Sequence, residues 1–304
     1  MSYKIKTKAF GKYLPKEVIT NEDLSKLVDT NDEWITTRTG IKERRKASED
    51  VLEMAYLSAV DAIDKYNYDV NKIDLIIVAT ITAEQKTPAI ANLLQAKLGL
   101  NNKQVMAFDL NAACTGFIYA LEVASSLLQG TFKSALVVGV EKMTNVIDFT
   151  DRSTCILFGD ASGAMILEKG DNITHFYNDS KGDDRGILNV TDKITMNGPR
   201  VYQFAVETLN QSINKILNDN NLTLADIDVI IPHQANIRII DTMIKDLNIE
   251  REKVLVNIQH YGNTSAASIP VTIAEYKEEV KEEKNALLIG FGGGFTWGAS
   301  IIKI

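Results

Sequence analysis

The pattern of apolar and polar positions along the chain predicts an α/β protein. Short, mostly apolar runs such as Val105–Leu110 have the length and composition of strands buried within a sheet. This run is followed by small residues and then by a segment that is apolar on most helical faces and ends at Gly130. We therefore expect a strand that leads through a short turn into a helix buried in the middle of a domain.

The chain also contains an internal repeat. Ile73–Thr80 matches Ile227–Gln234, and Lys133–Gly139 matches Lys284–Gly290, with the pairs in the same order along the sequence. Self-similarity of this kind indicates repeated structural units. We therefore expect two pseudo-symmetric halves that share one body.

The repeat brings three polar residues into equivalent places. When Val105–Cys114 is laid on Val254–Asn263, Cys114 falls on Asn263, and His233 lies at the end of another predicted strand. In a parallel α/β sheet the carboxyl ends of strands converge at one edge. The sequence therefore predicts that a thiol, an imidazole and a carboxamide meet at that edge.

Cys114 is the candidate nucleophile of this group. It lies at the predicted start of a helix, where unpaired N–H groups and the helix dipole favour a thiolate. A lone buried cysteine is usually inert packing. The predicted convergence with His233 and Asn263 favours the catalytic interpretation instead.

Composition limits the class of protein and its partners. The 304 residues carry 33 Lys and Arg against 40 Asp and Glu, a net charge of −7, which disfavours nucleic-acid binding. The 2 cysteines lack the spacing of a disulfide framework or a zinc site, and we expect a reducing compartment. We find no apolar window that predicts a signal peptide or a membrane span, so we expect a cytoplasmic protein.

Six blocks of the sequence resemble the signature blocks of one family. They are Asn31–Arg44, Asn111–Phe117, Asp151–Asp160, Pro232–Ile239, Tyr261–Ser268 and Gly290–Gly298. Together they resemble the β-ketoacyl-[acyl carrier protein] synthase III family of the thiolase superfamily, over essentially the whole chain. Six blocks in order are far more specific than one.

The resemblance implies a fold and a division of the chain. The fold is α/β and thiolase-like, a five-layered αβαβα body built from two pseudo-symmetric halves. Residues 1–170 would form the half that carries the Cys nucleophile, and residues 171–304 the half that carries His and Asn.

The resemblance also implies a reaction in two half-reactions. Cys114 would attack an acyl-CoA thioester, with the oxyanion held by the backbone N–H groups of Cys114 and Gly293. Malonyl-acyl carrier protein would then lose CO₂, and a neutral His233 and Asn263 would each donate an N–H to the enolate oxygen. Acyl-CoA is a substrate in this scheme, and neither a cofactor nor a metal is expected.

Further residues match positions that contact the two substrates. In the resemblance Trp34 and Arg152 stack the adenine of CoA, and Arg38 contacts its phosphates. The remaining matches are Gly198, Asn236 and Phe291 along the pantetheine tunnel, and Arg238 and Lys245 for docking of the acidic carrier protein. Arg238 and Lys245 are seven positions apart, and we expect them on one face of a helix.

Two of the departures from the family pattern concern the acyl pocket and the cover of the CoA tunnel. Thr87 stands where many members carry a Phe that crosses a dimer interface to the floor of the acyl pocket, so we expect a homodimer with a roomier pocket. The segment 180–196 is shorter than the usual family insertion, which puts in doubt the cover of the CoA tunnel.

Other functions remain open from the residues alone. A related Cys-His-Asn enzyme could prime polyketide or other specialised acyl chains, and the sequence does not separate it from one that starts fatty-acid synthesis. A papain-type hydrolase shares the order Cys, His, Asn, but it would leave Gly290–Gly298 without a role. A non-catalytic scaffold is disfavoured by the complete triad.

Overall fold

The computed structural model describes residues 1–304, and its elements divide into two runs of similar content. The elements of the first run are β1 (Ser2–Tyr13), β2 (Glu17–Thr20), α1 (Asn21–Ser25), α2 (Asp32–Thr39), β3 (Glu43–Lys46), α3 (Val51–Lys65), β4 (Leu75–Ala79), α4 (Ile90–Lys97), β5 (Met106–Leu110), α5 (Gly116–Leu127), β6 (Ser134–Lys142), α6 (Arg152–Cys155) and β7 (Asp160–Lys169). Those of the second are β8 (Asn172–Ser180), β9 (Leu188–Val190), β10 (Ile194–Met196), α7 (Gly198–Asp219), β11 (Val229–Pro232), α8 (Ile237–Asp246), α9 (Ile258–Tyr261), α10 (Ser268–Glu279), β12 (Asn285–Gly292) and β13 (Thr296–Lys303).

The main sheet has nine strands in the order β11-β12-β13-β8-β1-β7-β6-β4-β5. Strand β4 pairs in parallel with β5 and β6, and β11 pairs in parallel with β12. Strand β1 joins the two halves, because it pairs with β7 on one side and, from Ser2 to Ile5, with β8 on the other. Beyond this shared segment the sheet forms two layers.

Helices fill the space between these layers and cover both outer faces. Helix α5 packs on β4 and β6 of the first half and on β12 and β13 of the second, and α10 packs on β1, β7 and β11. Helices α3 and α4 cover the first half from outside, and α7, with α8 against it, covers the second. This arrangement confirms the predicted α/β thiolase-like fold with five layers.

The burial of the central helix α5 follows from its composition. Its buried side chains, which include Phe117 and Leu121, belong to the largest core cluster, because the helix is covered from both halves. The helix ends at Leu127, a turn earlier than the predicted Gly130. Strand β6 also packs closely on the second half at Gly139, where a Cβ would lie 2.4 Å from the carbonyl oxygen of Ala266.

The division of the chain into two halves between residues 170 and 171 stays a prediction. Strand β7 ends at Lys169 and β8 begins at Asn172, so the proposed division falls in the turn between two strands.

None of the helices combines the length and the hydrophobicity that crossing a bilayer requires.

Candidate active site

Cys114 lies in a short 3-10 turn, Ala113–Thr115, between β5 and α5. This turn is held against the β12–β13 hairpin, because the Thr296 hydroxyl lies 3.0 Å from the Thr115 hydroxyl and 3.0 Å from the carbonyl oxygen of Ala112. The thiol is thus placed at the carboxyl end of a strand, as the sequence predicts, although β5 is the edge strand of the sheet and its residues are half-buried or exposed.

Gly292 allows the hairpin to approach this turn. A Cβ at Gly292 would lie 2.8 Å from the backbone nitrogen of Cys114, so any side chain there would displace the nucleophile. The next residue, Gly293, lines the same cavity as Cys114, and the oxyanion role of its N–H stays a prediction. Gly292 is therefore required for close packing, and Gly293 forms part of the cavity wall.

The protonation state of Cys114 differs from the expectation. The side chain opens onto the cavity and is partly exposed, yet burial of the sulfur raises the pKa of the Cys114 thiol to about 12. A hydrogen bond with the Ser265 hydroxyl lowers this pKa, and the nearby charge of Glu141 raises it further. Desolvation thus outweighs the helix N-terminus, and the resting group is a neutral thiol.

His233 directly follows β11 and is buried, with 3% of its surface exposed. Its backbone N–H donates to the Ile289 carbonyl at 2.8 Å, and its ring lies edge-on to Phe291 at 5.8 Å between centroids. Burial lowers the pKa of His233 to about 3, so the ring is neutral at physiological pH. This agrees with the neutral imidazole that the sequence predicts.

One hydroxyl fixes the tautomer of His233. Nδ1 lies 2.7 Å from the Ser268 Oγ, and the Ser268 hydroxyl has no other acceptor in the structure. The hydroxyl therefore donates to Nδ1, and the ring proton resides on Nε2. An Nε2–H donor is what stabilisation of an enolate oxygen requires.

Asn263 is oriented by the backbone around it. Its side-chain Oδ1 accepts the backbone N–H of Ser265 at 2.8 Å, and the backbone N–H of Asn263 donates to the Leu157 carbonyl at 2.8 Å. Gly262 before it has φ +64°, and a Cβ there would lie 2.7 Å from the Leu157 oxygen. Because Oδ1 is engaged, the Nδ2 group is left as the donor that faces the cavity.

The three predicted catalytic residues line a single cavity of about 1210 Å³. Both halves of the chain contribute to its wall. Of the residues predicted for substrate contacts, those that also line it are Trp34, Arg38, Gly198, Asn236, Arg238 and Phe291. The cavity thus connects the thiol with the residues expected to hold CoA.

The indole ring of Trp34 has two guanidinium groups close to it. The Cζ of Arg38 is 4.8 Å and that of Arg152 is 5.1 Å from the centroid of the indole ring. Arg152 itself does not line the cavity, and it donates to the Asp29 carbonyl at 2.9 Å. A base stacked between Trp34 and Arg152 therefore requires Arg152 to move outward.

Two of the predicted pantetheine contacts are helix-terminal residues. Gly198 begins α7 and has no atoms within 4 Å of the position that a Cβ would occupy, so packing does not explain this glycine. Asn236 caps α8, because its Oδ1 accepts the N–H of Arg238 at 2.9 Å. Its Nδ2 group remains available to a ligand in the cavity.

The remaining predicted residues lie outside the cavity. Lys245 is exposed on α8, the helix whose first turn places the exposed Arg238 at the cavity rim. Thr87 is exposed and does not line the cavity of its own chain. A pocket role for Thr87 therefore depends entirely on a second subunit.

The short segment between the halves still covers the cavity. Strands β9 and β10 pair as a hairpin, and Leu188, Val190 and Ile194 from it line the cavity. The doubt that the sequence raises about this cover is thus removed by the structure, since three residues per strand suffice to form the wall.

Sequence reasoning missed the residues that support the triad. Ser265 and Ser268 lie in the same block as Asn263, but serines carry no distinctive sequence signal there. Glu141 ends an apolar strand, and a carboxylate at that position is the one signal that could have found it.

Comparison with known proteins agrees with this geometry. The family model described as 3-oxoacyl-[acyl-carrier-protein (ACP)] synthase III matches residues 108–182, and the model of its C-terminal part matches residues 217–304. The β-ketoacyl-[acyl-carrier-protein] synthase III of Acholeplasma laidlawii is 55% identical over 305 residues, covering 99% of this chain and 98% of the relative. The chain belongs to the β-ketoacyl-[acyl-carrier-protein] synthase III family.

Solved structures give the same result. The crystal structure of 3-oxoacyl-[acyl-carrier-protein] synthase III from Aquifex aeolicus has 43% identity and a TM-score of 0.95, and the match covers 99% of this chain and 100% of that one. The priming β-ketosynthase of the R1128 polyketide pathway has 31% identity and a TM-score of 0.92, covering 98% and 96%. As a member of this family the chain is a condensing acyltransferase that initiates fatty-acid synthesis.

Proposed function

We propose that the protein joins an acyl-CoA primer to malonyl-acyl carrier protein in a ping-pong reaction through acyl-Cys114. The observation that carries this proposal is the placement of Cys114, His233 and Asn263 around one cavity, with Trp34 in its wall. A papain-type hydrolase would leave Trp34 and Arg38 in the wall of this cavity without a role.

The first half-reaction forms the acyl-enzyme. The Cys114 sulfur attacks the thioester carbon, the bond from that carbon to the CoA sulfur breaks, and the thiol proton leaves with CoA. The N–H groups of Cys114 and Gly293 stabilise the tetrahedral oxyanion. Because the resting thiol has a pKa of about 12, attack and proton transfer are coupled once the substrate has displaced water from the cavity.

The second half-reaction makes the new carbon–carbon bond. Loss of CO₂ from the malonyl group leaves an enolate, whose oxygen accepts hydrogen bonds from Nε2–H of His233 and Nδ2–H of Asn263. The enolate carbon attacks the acyl carbon, the bond to the Cys114 sulfur breaks, and 3-oxoacyl-acyl carrier protein is released. The Cys114 thiolate then takes a proton from solvent, since its own proton left with CoA.

Substrate binding divides between the mouth and the rim of the cavity. Trp34, Arg38 and Arg152 would hold the nucleotide end of CoA through stacking and charge. Arg238 and Lys245 on α8 would meet the acidic carrier protein, a local basic patch on a chain of net charge −7.

The active form would be a homodimer, because Thr87 contributes to an acyl pocket only from a neighbouring subunit. Light scattering at micromolar concentration tests this directly. The mass of two chains is expected, and the mass of one chain would contradict the pocket role of Thr87.

Priming of a polyketide or another specialised acyl chain is the second candidate. The R1128 priming β-ketosynthase shares the fold at 31% identity, and the family resemblance implies Cys, His and Asn for both kinds of enzyme. The two candidates differ in the primer and in the carrier protein used.

An assay of the purified protein distinguishes these possibilities. A panel of acyl-CoA primers is mixed with malonyl-acyl carrier protein from fatty-acid synthesis, and 3-oxoacyl-acyl carrier protein is measured by mass spectrometry. Product from short primers supports the proposal. Release of free acid without condensation would support a hydrolase, and condensation only with another carrier would support the second candidate.

A further inference from the structure

Glu141 is a buried carboxylate that the chemistry above leaves unused. It is the penultimate residue of β6 and has no exposed surface. The Thr82 hydroxyl donates to Oε2 at 2.6 Å, and the backbone N–H of Ile81 donates to the same oxygen at 3.1 Å. From the other half of the chain, the Ser265 hydroxyl donates to Oε1 at 3.2 Å. The carboxylate therefore connects the loop after β4 with the turn Ser265–Ala267.

Ser265 links this carboxylate to the catalytic amide. It has φ +49°, a left-handed conformation that is uncommon for a residue with a side chain and persists only where its surroundings hold it. While its hydroxyl donates to Glu141, its backbone N–H donates to Oδ1 of Asn263 at 2.8 Å. The rotation of the Asn263 amide thus depends on the same residue that the carboxylate anchors.

Keeping a carboxylate at this position is unfavourable by itself. Burial raises the pKa of Glu141 to about 7, in spite of the donors around it. Its charge also disfavours the Cys114 thiolate. Neither effect benefits the nucleophile, so the benefit of Glu141 lies elsewhere, in the turn that it holds.

We propose that Glu141 is a positioning residue for decarboxylation: through the Ser265 hydroxyl it holds the turn whose N–H orients the amide of Asn263. The inference rests on the proposed function, because decarboxylation is the step in which Asn263 donates. It separates the two half-reactions, since acylation of Cys114 does not use that donor.

Glu141→Gln and Ser265→Ala test the proposal by measuring each half-reaction alone. Acyl transfer from acyl-CoA to Cys114 is followed by intact-protein mass spectrometry, and decarboxylation of malonyl-acyl carrier protein by release of labelled CO₂. In both variants we expect kcat for decarboxylation to fall about tenfold or more, with KM unchanged, as for a misplaced reacting group. Acylation should not fall in Glu141→Gln, because removing the carboxylate charge favours the Cys114 thiolate.

Double variants show whether the effect passes through the amide. When Asn263→Ala is combined with Glu141→Gln or with Ser265→Ala, no further loss of decarboxylation is expected. Losses that multiply would overturn the proposal, as would an equal fall of both half-reactions in Glu141→Gln. The combination of Ser265→Ala with Asn263→Ala keeps the test decisive if Glu141→Gln fails to fold.

Asp74→Asn is a matched control. Asp74 precedes β4 at the end opposite to this cluster, and its carboxylate accepts the backbone N–H groups of Lys133 and Ser134 at 3.0 Å. It should leave both half-reactions unchanged. If wild type does not decarboxylate malonyl-acyl carrier protein, the proposed function fails; if Asn263→Ala loses the step and Glu141→Gln does not, only this inference fails.

Discussion

His233 Nδ1 lies 2.7 Å from Ser268 Oγ, in a buried pair that joins the end of β11 to the start of α10. The hydroxyl has a single proton and donates it to Nδ1, which leaves the Nε2 proton for the substrate. A catalytic histidine more often receives its orientation from a carboxylate, which would raise its basicity. A serine orients the ring without adding a charge, and burial keeps the ring neutral.

Ser268→Ala should therefore impair decarboxylation about tenfold or more, because the ring loses the contact that sets its tautomer and rotation. Steady-state CO₂ release measures this loss. Ser125→Ala is the matched control, since Ser125 is equally buried but its hydroxyl has no hydrogen-bond partner. Equal rates for Ser268→Ala and wild type would show that Phe291 packing alone positions the ring.

Changing Cys114 to Ser or Ala should abolish both the acyl-enzyme and condensation, because the alcohol is far less acidic than the thiol. Intact-protein mass spectrometry after mixing with acyl-CoA detects the adduct. Cys155→Ala should keep the adduct, since Cys155 is buried in the core and does not line the cavity. An acyl adduct that persists on Cys114→Ala would refute the assignment of the nucleophile.

His233→Ala and Asn263→Ala should spare acylation more than decarboxylation, because both donors act on the enolate. Loss of one such donor typically costs about two to three orders of magnitude in rate. Single-turnover acylation and CO₂ release, measured on the same preparations, give the comparison. Wild-type decarboxylation in either variant would mean that the roles are divided differently.

Stability should depend on His233 in mild acid. The folded-state pKa of about 3 lies below the unfolded value near 6.5, so protons bind the unfolded chain preferentially below pH 6.5 and stability is lost as the pH falls. Between pH 7 and pH 5 this contribution is about 2 kcal/mol. Denaturant unfolding of wild type and His233→Gln at both pH values isolates it, because other groups contribute equally. The same loss in both proteins would rule out a buried neutral ring.

Thr87→Phe should narrow the range of primers. If Thr87 reaches a partner's pocket, the added ring removes space for branched or medium-chain acyl groups, each CH₂ of which gains about 0.8 kcal/mol on burial. We expect kcat/KM to fall for those primers while acetyl transfer is kept. The interpretation fails if wild type strictly prefers acetyl-CoA, or if all primers decline equally.

Much of the site followed from the sequence because its chemistry lies at strand ends. The matched runs around Cys114 and Asn263 predicted convergence at one sheet edge, and the structure places both residues, with His233, around one cavity. Helix α5 followed from its apolar faces, since a helix without a polar face must be covered on both sides. The family, the fold class and the reaction could all be predicted from the six blocks.

The sequence by itself thus determined the family, and it predicted which residues carry the chemistry and which half supplies each. Only the tertiary structure decided their protonation and orientation, because these depend on contacts between segments far apart in the chain. Burial made Cys114 a neutral thiol where helix position alone predicted a thiolate. The contacts of Ser268 with His233 and of Glu141 with Ser265 join residues 35 and 124 positions apart, and local pattern contains no information on such pairs.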